Sequence, residues 1–292
     1  MSSGVLVGYD GSDHADAAVE WAATEAQSRD TSLTIVTAMT VSVQSMRFGG
    51  NLITPDLIGD LLDRTQEAVD ARAEQVRASH PGLAVTTRVS LGTATSVFID
   101  ASEGADLLVV GSRGMGGFRG MLVGSVGVGV AANARCPAVI VRRVPASSAS
   151  TVVVGIDGSD LSMAALDFAV ETADRRGWSV CAVHAWEVPS YDVLALPAGP
   201  PPMDVEWLEE GERRAFAESM AGQRERHPSV AFEEVVVRGP AARAILDASD
   251  DAALIVLGTR GRGEFLGAVL GSVSQSVLHR AKVPVAVIGP VN

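Results

Sequence analysis

The chain has 292 residues, comfortable for two domains of about 100–200 residues each. Its composition, 47% hydrophobic and 20% charged, supplies real cores and excludes global disorder. A formal charge of −12 argues against nucleic acid or an anionic membrane as the main partner, because both reward a basic field.

The opening MSSGVLVGYDGS carries an apolar run, VLV, too short for the core of a signal peptide, and no basic region ahead of it. VLVGY (5–9) reads as a first strand. A helix is expected from Ser12, a good N-cap, with Ala15, Ala18, Val19, Ala22 and Ala23 along one face. LTIVTAM (33–39) is a second strand, LAVTTRV (83–89) a third, DLLVVG (106–111) a fourth and PAVIVRR (137–143) a fifth. Helical stretches separate them. Runs such as LLVV are apolar on both faces, as strands covered by helices on each side of a parallel sheet must be. The uncharged stretch 120–134 is fifteen residues of mostly small side chains, too short to span a bilayer, so a soluble, cytoplasmic protein is expected.

The second half then repeats the first. VLVGYDGSD (5–13) matches VVVGIDGSD (152–160), and Asp10 and Asp157 lie 147 residues apart. So do Gly111 and Gly258, Gly124 and Gly271, and Pro137 and Pro284. A constant offset of this length means two whole domains with no net insertion between landmarks. The expected boundaries are domain 1 over residues 1–143, a Pro/Ser/Ala linker over 144–150, and domain 2 over 151–292. The second copy's first helix starts at Ser159, with Ala164, Ala165, Phe168 and Ala169 on its inner face. Strands alternating with helices give an α/β fold of two tandem, doubly wound, five-stranded parallel sheets. The halves diverge most between the second strand and second helix (40–55 and 187–203), excursions too long for tight connections and readable as lids, partner surfaces or plain loops.

Chemistry concentrates in two glycine-rich loops, GSRGMGGFRGMLVGS (111–125) and GTRGRGEFLGAVLGS (258–272), each directly after an apolar strand and before a helix. In open α/β sheets ligands bind beyond the carboxyl ends of the strands, where strand order reverses. Glycines let consecutive N–H groups point inward at an anion, and the helix N-terminus after Gly124-Ser125 or Gly271-Ser272 favours negative charge. Arg113 and Arg119, and Arg260 and Arg262, make both loops locally basic. The strand-1 acids Asp10 and Asp157 would repel phosphate and suit ribose hydroxyls or Mg²⁺. The Walker pattern is excluded, since neither loop has its lysine.

With G-x-x-G, nine residues and G-[ST] present twice, and VGYDGS and VGIDGS opening the copies, the chain resembles a tandem universal stress protein of the ATP-binding type. The resemblance covers nearly the whole chain. It implies strand order 3-2-1-4-5 and ATP in each copy. The implied site is Gly8, Asp10, Ala38, Gly111, Ser112, Arg113, Gly114, Met115, Gly116, Gly117, Gly124, Ser125 and Val126 in copy one. In copy two it is Gly155, Asp157, Ala185, Gly258, Thr259, Arg260, Gly261, Arg262, Gly263, Gly271, Ser272 and Val273. Glu264, inside the second loop, would weaken phosphate binding there.

Other chemistry-bearing side chains read as structure. Cys136 and Cys181 sit in apolar surroundings and are expected to be small buried hydrophobes. His14, His80, His184, His227 and His279 show no paired spacing for metal or catalysis, and His184 is expected to be a satisfied core side chain. Trp21, Trp178, Trp186 and Trp207 are expected as packing or loop anchors, and 206–220 as a charged helix face.

The functions left open are a nucleotide-responsive stress regulator, a slow ATP hydrolase or adenylyl-transfer enzyme, an AMP- or cyclic-AMP-binding protein, and a scaffold with vestigial sites. The last strands of the two copies would be sheet edges, so an intramolecular pseudo-dimer is expected, with further homodimerisation of chains.

Overall fold

The computed structural model of the protein describes residues 4–40, 55–115, 123–188, 204–261 and 270–290. Most of both long excursions, and Gly116, Gly117, Arg262, Gly263 and Glu264 of the loops, lie outside the described residues.

The first half runs β1 (Val5–Gly8), α1 (Asp13–Ser28), β2 (Leu33–Met39), α2 (Pro55–Ser79), β3 (Val85–Leu91), α3 (Ala94–Ala101), β4 (Leu107–Gly111), α4 (Ser125–Asn133) and β5 (Ala138–Val141). The second runs β6 (Thr151–Gly155), α5 (Asp160–Arg176), β7 (Ser179–Trp186), α6 (Val205–Arg226), β8 (Phe232–Arg238), α7 (Ala241–Asp247), β9 (Leu254–Gly258), α8 (Ser272–Arg280) and β10 (Val285–Ile288). Ser12 and Ser159 cap α1 and α5 as their sequence positions predict, accepting from Ala15 N and Ser162 N.

The strand order β3-β2-β1-β4-β5-β10-β9-β6-β7-β8 contains 3-2-1-4-5 twice. Each half is parallel throughout, and β5 and β10 join them antiparallel, with Val139 opposite Ala286. The two expected sheets are therefore one ten-stranded sheet. The central runs are buried on both sides, which is why LLVV and LIVL carry no alternation. One core, under α1, α2, α5 and α6, covers one face through both halves. A second, under α3, α4, α7 and α8, covers the other.

A charged knot ties the halves together on the first face. Glu25 of α1 is fully buried. Its Oε1 accepts from Arg29 Nε at 2.7 Å, and its Oε2 from Arg176 Nη2 of α5 at 2.5 Å. Arg175 reaches Oε1 at 3.4 Å. Burial pushes the Glu25 carboxyl up, but the charges and hydrogen bonds of Arg29 and Arg176 outweigh it and hold it below the usual carboxylate range. Arg29 also lies over the Phe168 ring of the second half, 5.4 Å from its centroid.

His184 is satisfied, as expected: Nδ1 pairs with Ile156 O and Nε2 with Glu212 Oε2, both at 2.9 Å, and the ring stacks on Phe216. Trp207 corrects the packing expectation, being 70% exposed in the first turn of α6. Cys136 and Cys181 are buried and unpaired, and burial pushes their thiols up to about 12 and about 11. The thiolate is the reactive form. Alkylation by iodoacetamide at pH 8 is therefore expected to be negligible in the folded protein and complete after denaturation, read by intact mass.

Candidate functional site

Each half places its glycine loop where β1 and β4, or β6 and β9, point their carboxyl ends in a shared crevice. The loop is tied at its neck. Ser112 N donates to Val141 O at 2.7 Å, and Gly124 N donates back to Ser112 O at 2.8 Å. In copy two Thr259 N donates to Ile288 O and Gly271 N to Thr259 O, at 2.8 and 2.7 Å. The neck brings the start of α4, or α8, beside the end of the fourth strand of its half.

The glycines are there for close approach. A Cβ on Gly111 would stand 2.8 Å from the His14 carbonyl group and 3.0 Å from Ala15 N, in the first turn of α1. Gly258 meets Leu161 of α5 in the same way. A Cβ on Gly114 or Gly261 would run into Oδ2 of Asp10 or Asp157. The Asp10 carboxylate stitches strand, helix and loop together, and the Asp157 carboxylate ties its strand to the start of α5. Asp10 Oδ1 accepts from Ser12 N at 3.1 Å and Ser12 Oγ at 2.7 Å, and Oδ2 accepts from Met115 N at 3.1 Å. Asp157 Oδ1 accepts from Ser159 N at 3.0 Å and Ser159 Oγ at 2.6 Å.

Helices α4 and α8 start from glycine N-caps, Gly124 and Gly271, with no side-chain cap hydrogen bond, unlike the serine-capped α1 and α5. Their first-turn N–H groups thus have no side-chain acceptor and can take an anion.

Two cavities occupy the crevices. In copy two a cavity of about 260 Å³ joins Gly155, Asp157, Ala185, Gly258, Arg260, Gly261, Gly271, Ser272 and Val273. In copy one a cavity of about 80 Å³ joins Gly8, Asp10, Ala38, Gly111, Arg113, Gly114 and Val126. Gly124 and Ser125, whose counterparts line the larger cavity, do not line the smaller one. Ser112 and Thr259 line neither. Their hydroxyls are buried with no hydrogen-bond partner among the described residues. Met115 is 77% exposed, at the outer lip of its loop.

The copies also differ in how the arginine is held. Arg113 Nη2 lies 3.0 Å from His14 Nε2. Burial, then the charges of Arg113 and Arg142, hold His14 below its ordinary range. His14 corresponds to Leu161 in copy two, where Arg260 is exposed. Among the described residues there is no group of three or more His, Cys, Asp or Glu able to hold a metal.

Sequence reasoning missed several lining residues. Phe98 and Ile245, Ala94 and Ala241, and Ser162 all border the cavities. The constant offset was the available signal, because it pairs Phe98 with Ile245 without any structure.

Comparison with known proteins agrees with this geometry. The model of the universal stress protein family matches twice, over residues 1–142 and 149–289. A universal stress protein of Mycobacterium tuberculosis is 34% identical over 292 residues, covering 97% of this chain and 96% of its own. One from Mycolicibacterium smegmatis is 35% identical over 297 residues, covering 98% and 97%. The crystal structure of a universal stress protein from Archaeoglobus fulgidus superposes with a TM-score of 0.71 at 21% identity, covering 99% of this chain and 97% of that one. No helix among the described residues is long and apolar enough to cross a membrane. Matched in both halves and along almost its full length, the chain belongs to the universal stress protein family.

Proposed function

We propose that the protein binds ATP in the crevice at the carboxyl ends of its strands and acts as a nucleotide-dependent regulator of a stress or growth-arrest response. The observation that carries this reading is the copy-two cavity. It brings a glycine loop, the uncapped start of α8, Arg260 and Asp157 to one place. In this reading the α8 amides and Arg260 hold phosphate oxygens, Asp157 takes ribose hydroxyls, and the apolar wall of Val183, Ala185, Ile245 and Leu257 covers the base.

Regulation is favoured over turnover by what the cavity offers. Asp157 is the one carboxylate among the described lining residues, and its Oδ1 already accepts two hydrogen bonds from Ser159. Among the described residues no histidine or lysine lines the cavity. Phosphoryl transfer needs a positioned nucleophile as well as charge stabilisation, so hydrolysis slow enough to need overnight incubation is the most expected.

Gly261→Ala tests the site, since the new methyl must displace the Asp157 carboxylate or open the loop. ATP affinity measured by calorimetry is expected to fall at least about tenfold, or 1.4 kcal/mol. Unchanged affinity would refute the assignment.

A further inference from the structure

All twelve positions that line the copy-one crevice also line the copy-two crevice, and four of those differ in residue type between the copies. Tyr9 becomes Ile156, Ala15 becomes Ser162, Phe98 becomes Ile245 and Val110 becomes Leu257. Two of these exchanges, at Ala15 and Val110, put the smaller side chain in copy one and would enlarge its cavity. The Tyr9 side chain packs with the core on the α1 face of the sheet. Among the described lining residues, Phe98 is left as the exchange that narrows copy one.

Its placement explains how. Phe98 is 6% exposed, in the core of the α3 face, and its ring lies over the end of β1. Three ring atoms stand within 3.1 Å of where a Gly8 Cβ would be, the nearest at 2.6 Å. At the equivalent point over Gly155 stand the Ile245 Cδ1 methyl at 2.7 Å, Leu257 Cδ2 at 2.8 Å and Ile245 Cγ1 at 3.5 Å, the ends of two branched aliphatic chains in place of one flat ring. The outcome is about 80 Å³ against about 260 Å³. Crevices that take small organic ligands usually run from about 300 Å³ upward. The larger cavity approaches that size. The smaller falls well short of it, and it stops before Gly124 and Ser125.

We infer that the halves have divided their roles: the second half takes one whole adenine nucleotide, and in the first half the Phe98 ring occupies the space the base would need. The chain then binds one nucleotide instead of two, with Phe98 as the residue that sets the stoichiometry. This rests on the ATP-binding reading above and adds to it which half is open.

The test is the number of ATP molecules bound per chain, measured by equilibrium dialysis of the full chain with Mg²⁺-ATP. Photolabelling with an 8-azido-adenine analogue, followed by peptide mapping, then locates the label. For the unaltered protein one ATP per chain, with label in peptides from residues 151–292, is the expected result. Two ATP per chain, or label in the first half, overturns the inference while leaving the ATP reading standing. No binding at all refutes the ATP reading itself, and the inference with it. Phe98→Ile is expected to raise the count to two. Phe98→Leu provides a second, milder route to the same opening, and both are checked for an unchanged circular dichroism spectrum. Folded variants that still bind one would show that Phe98 does not set the count. Ile245→Phe is expected to reduce the count to zero, and retention of one ATP by that folded variant would again overturn the inference.

Discussion

Glu25→Ala is expected to cost about 3–5 kcal/mol of unfolding free energy, the usual consequence of removing one partner from a buried ion pair. The carboxylate is fully buried, and it is what lets Arg29 of the first half and Arg176 of the second approach each other. Without it, two poorly hydrated guanidinium groups, with Arg175 alongside, face one another across the junction. Urea denaturation followed by tryptophan fluorescence would report the loss as a lower midpoint. Glu25→Leu combined with Arg29→Met and Arg176→Met is expected to recover part of it, because the two most buried guanidinium groups that faced the carboxylate are then gone with it. If Glu25→Ala shifted stability by less than about 0.5 kcal/mol, the range of ordinary surface substitutions, the knot would be decorative. The same group sets an acid limit. Its folded pKa lies below its unfolded value of about 4.3, so its contribution is present above that pH and is lost as pH falls through the folded value. The Glu25→Ala protein is therefore expected to show a flatter stability profile as pH falls below about 4.3.

The second large effect is at the root of the loops. Gly111→Ala is expected to destabilise by about 1–3 kcal/mol, the range for overpacking a closed site. The atoms in the way are the backbone of His14 and Ala15 at 2.8 to 3.0 Å, which no rotamer change can move. Relief requires α1 to lift from β4, and α1 also carries Ser12, one of the groups holding Asp10. Gly258→Ala meets Leu161 at 3.0 to 3.1 Å, a slightly looser contact, and is expected to cost less. Thermal denaturation of the pair would rank them. A neutral or stabilising Gly111→Ala would mean that the approach of α1 to the end of β4 is not tight.

Much of this architecture was legible in the chain because its signals are local. Strands apolar on both faces, serine caps at Ser12 and Ser159, and a 147-residue offset need no tertiary information. Even the pairing of β5 with β10 follows from two bare apolar edges in one chain. What escaped depends on partners distant in sequence. Glu25 reads as a solvated helix residue until Arg176, 151 positions away, closes over it. Ser112 and Thr259 sit in the motif, yet alternation of side chains at the strand end turns their hydroxyls away from the crevice. Phe98 reads as core, which it is; that its ring lies over Gly8 is visible only once α3 is docked on β1. Trp207 failed for the opposite reason, since large aromatic size predicts burial without saying what would supply it.

The seam between β5 and β10 also determines how the molecule responds to dilution. Two separate five-stranded chains joined edge to edge would fall apart as their concentration dropped below the dissociation constant. Here residues 142–150, between β5 and β6, tether the two halves, so each edge meets the other at an effective concentration set by a nine-residue leash, in the millimolar range for short flexible linkers. The joint, and the relative placement of the two crevices on either side of it, should thus be the same in a cell holding a handful of copies as in one holding thousands.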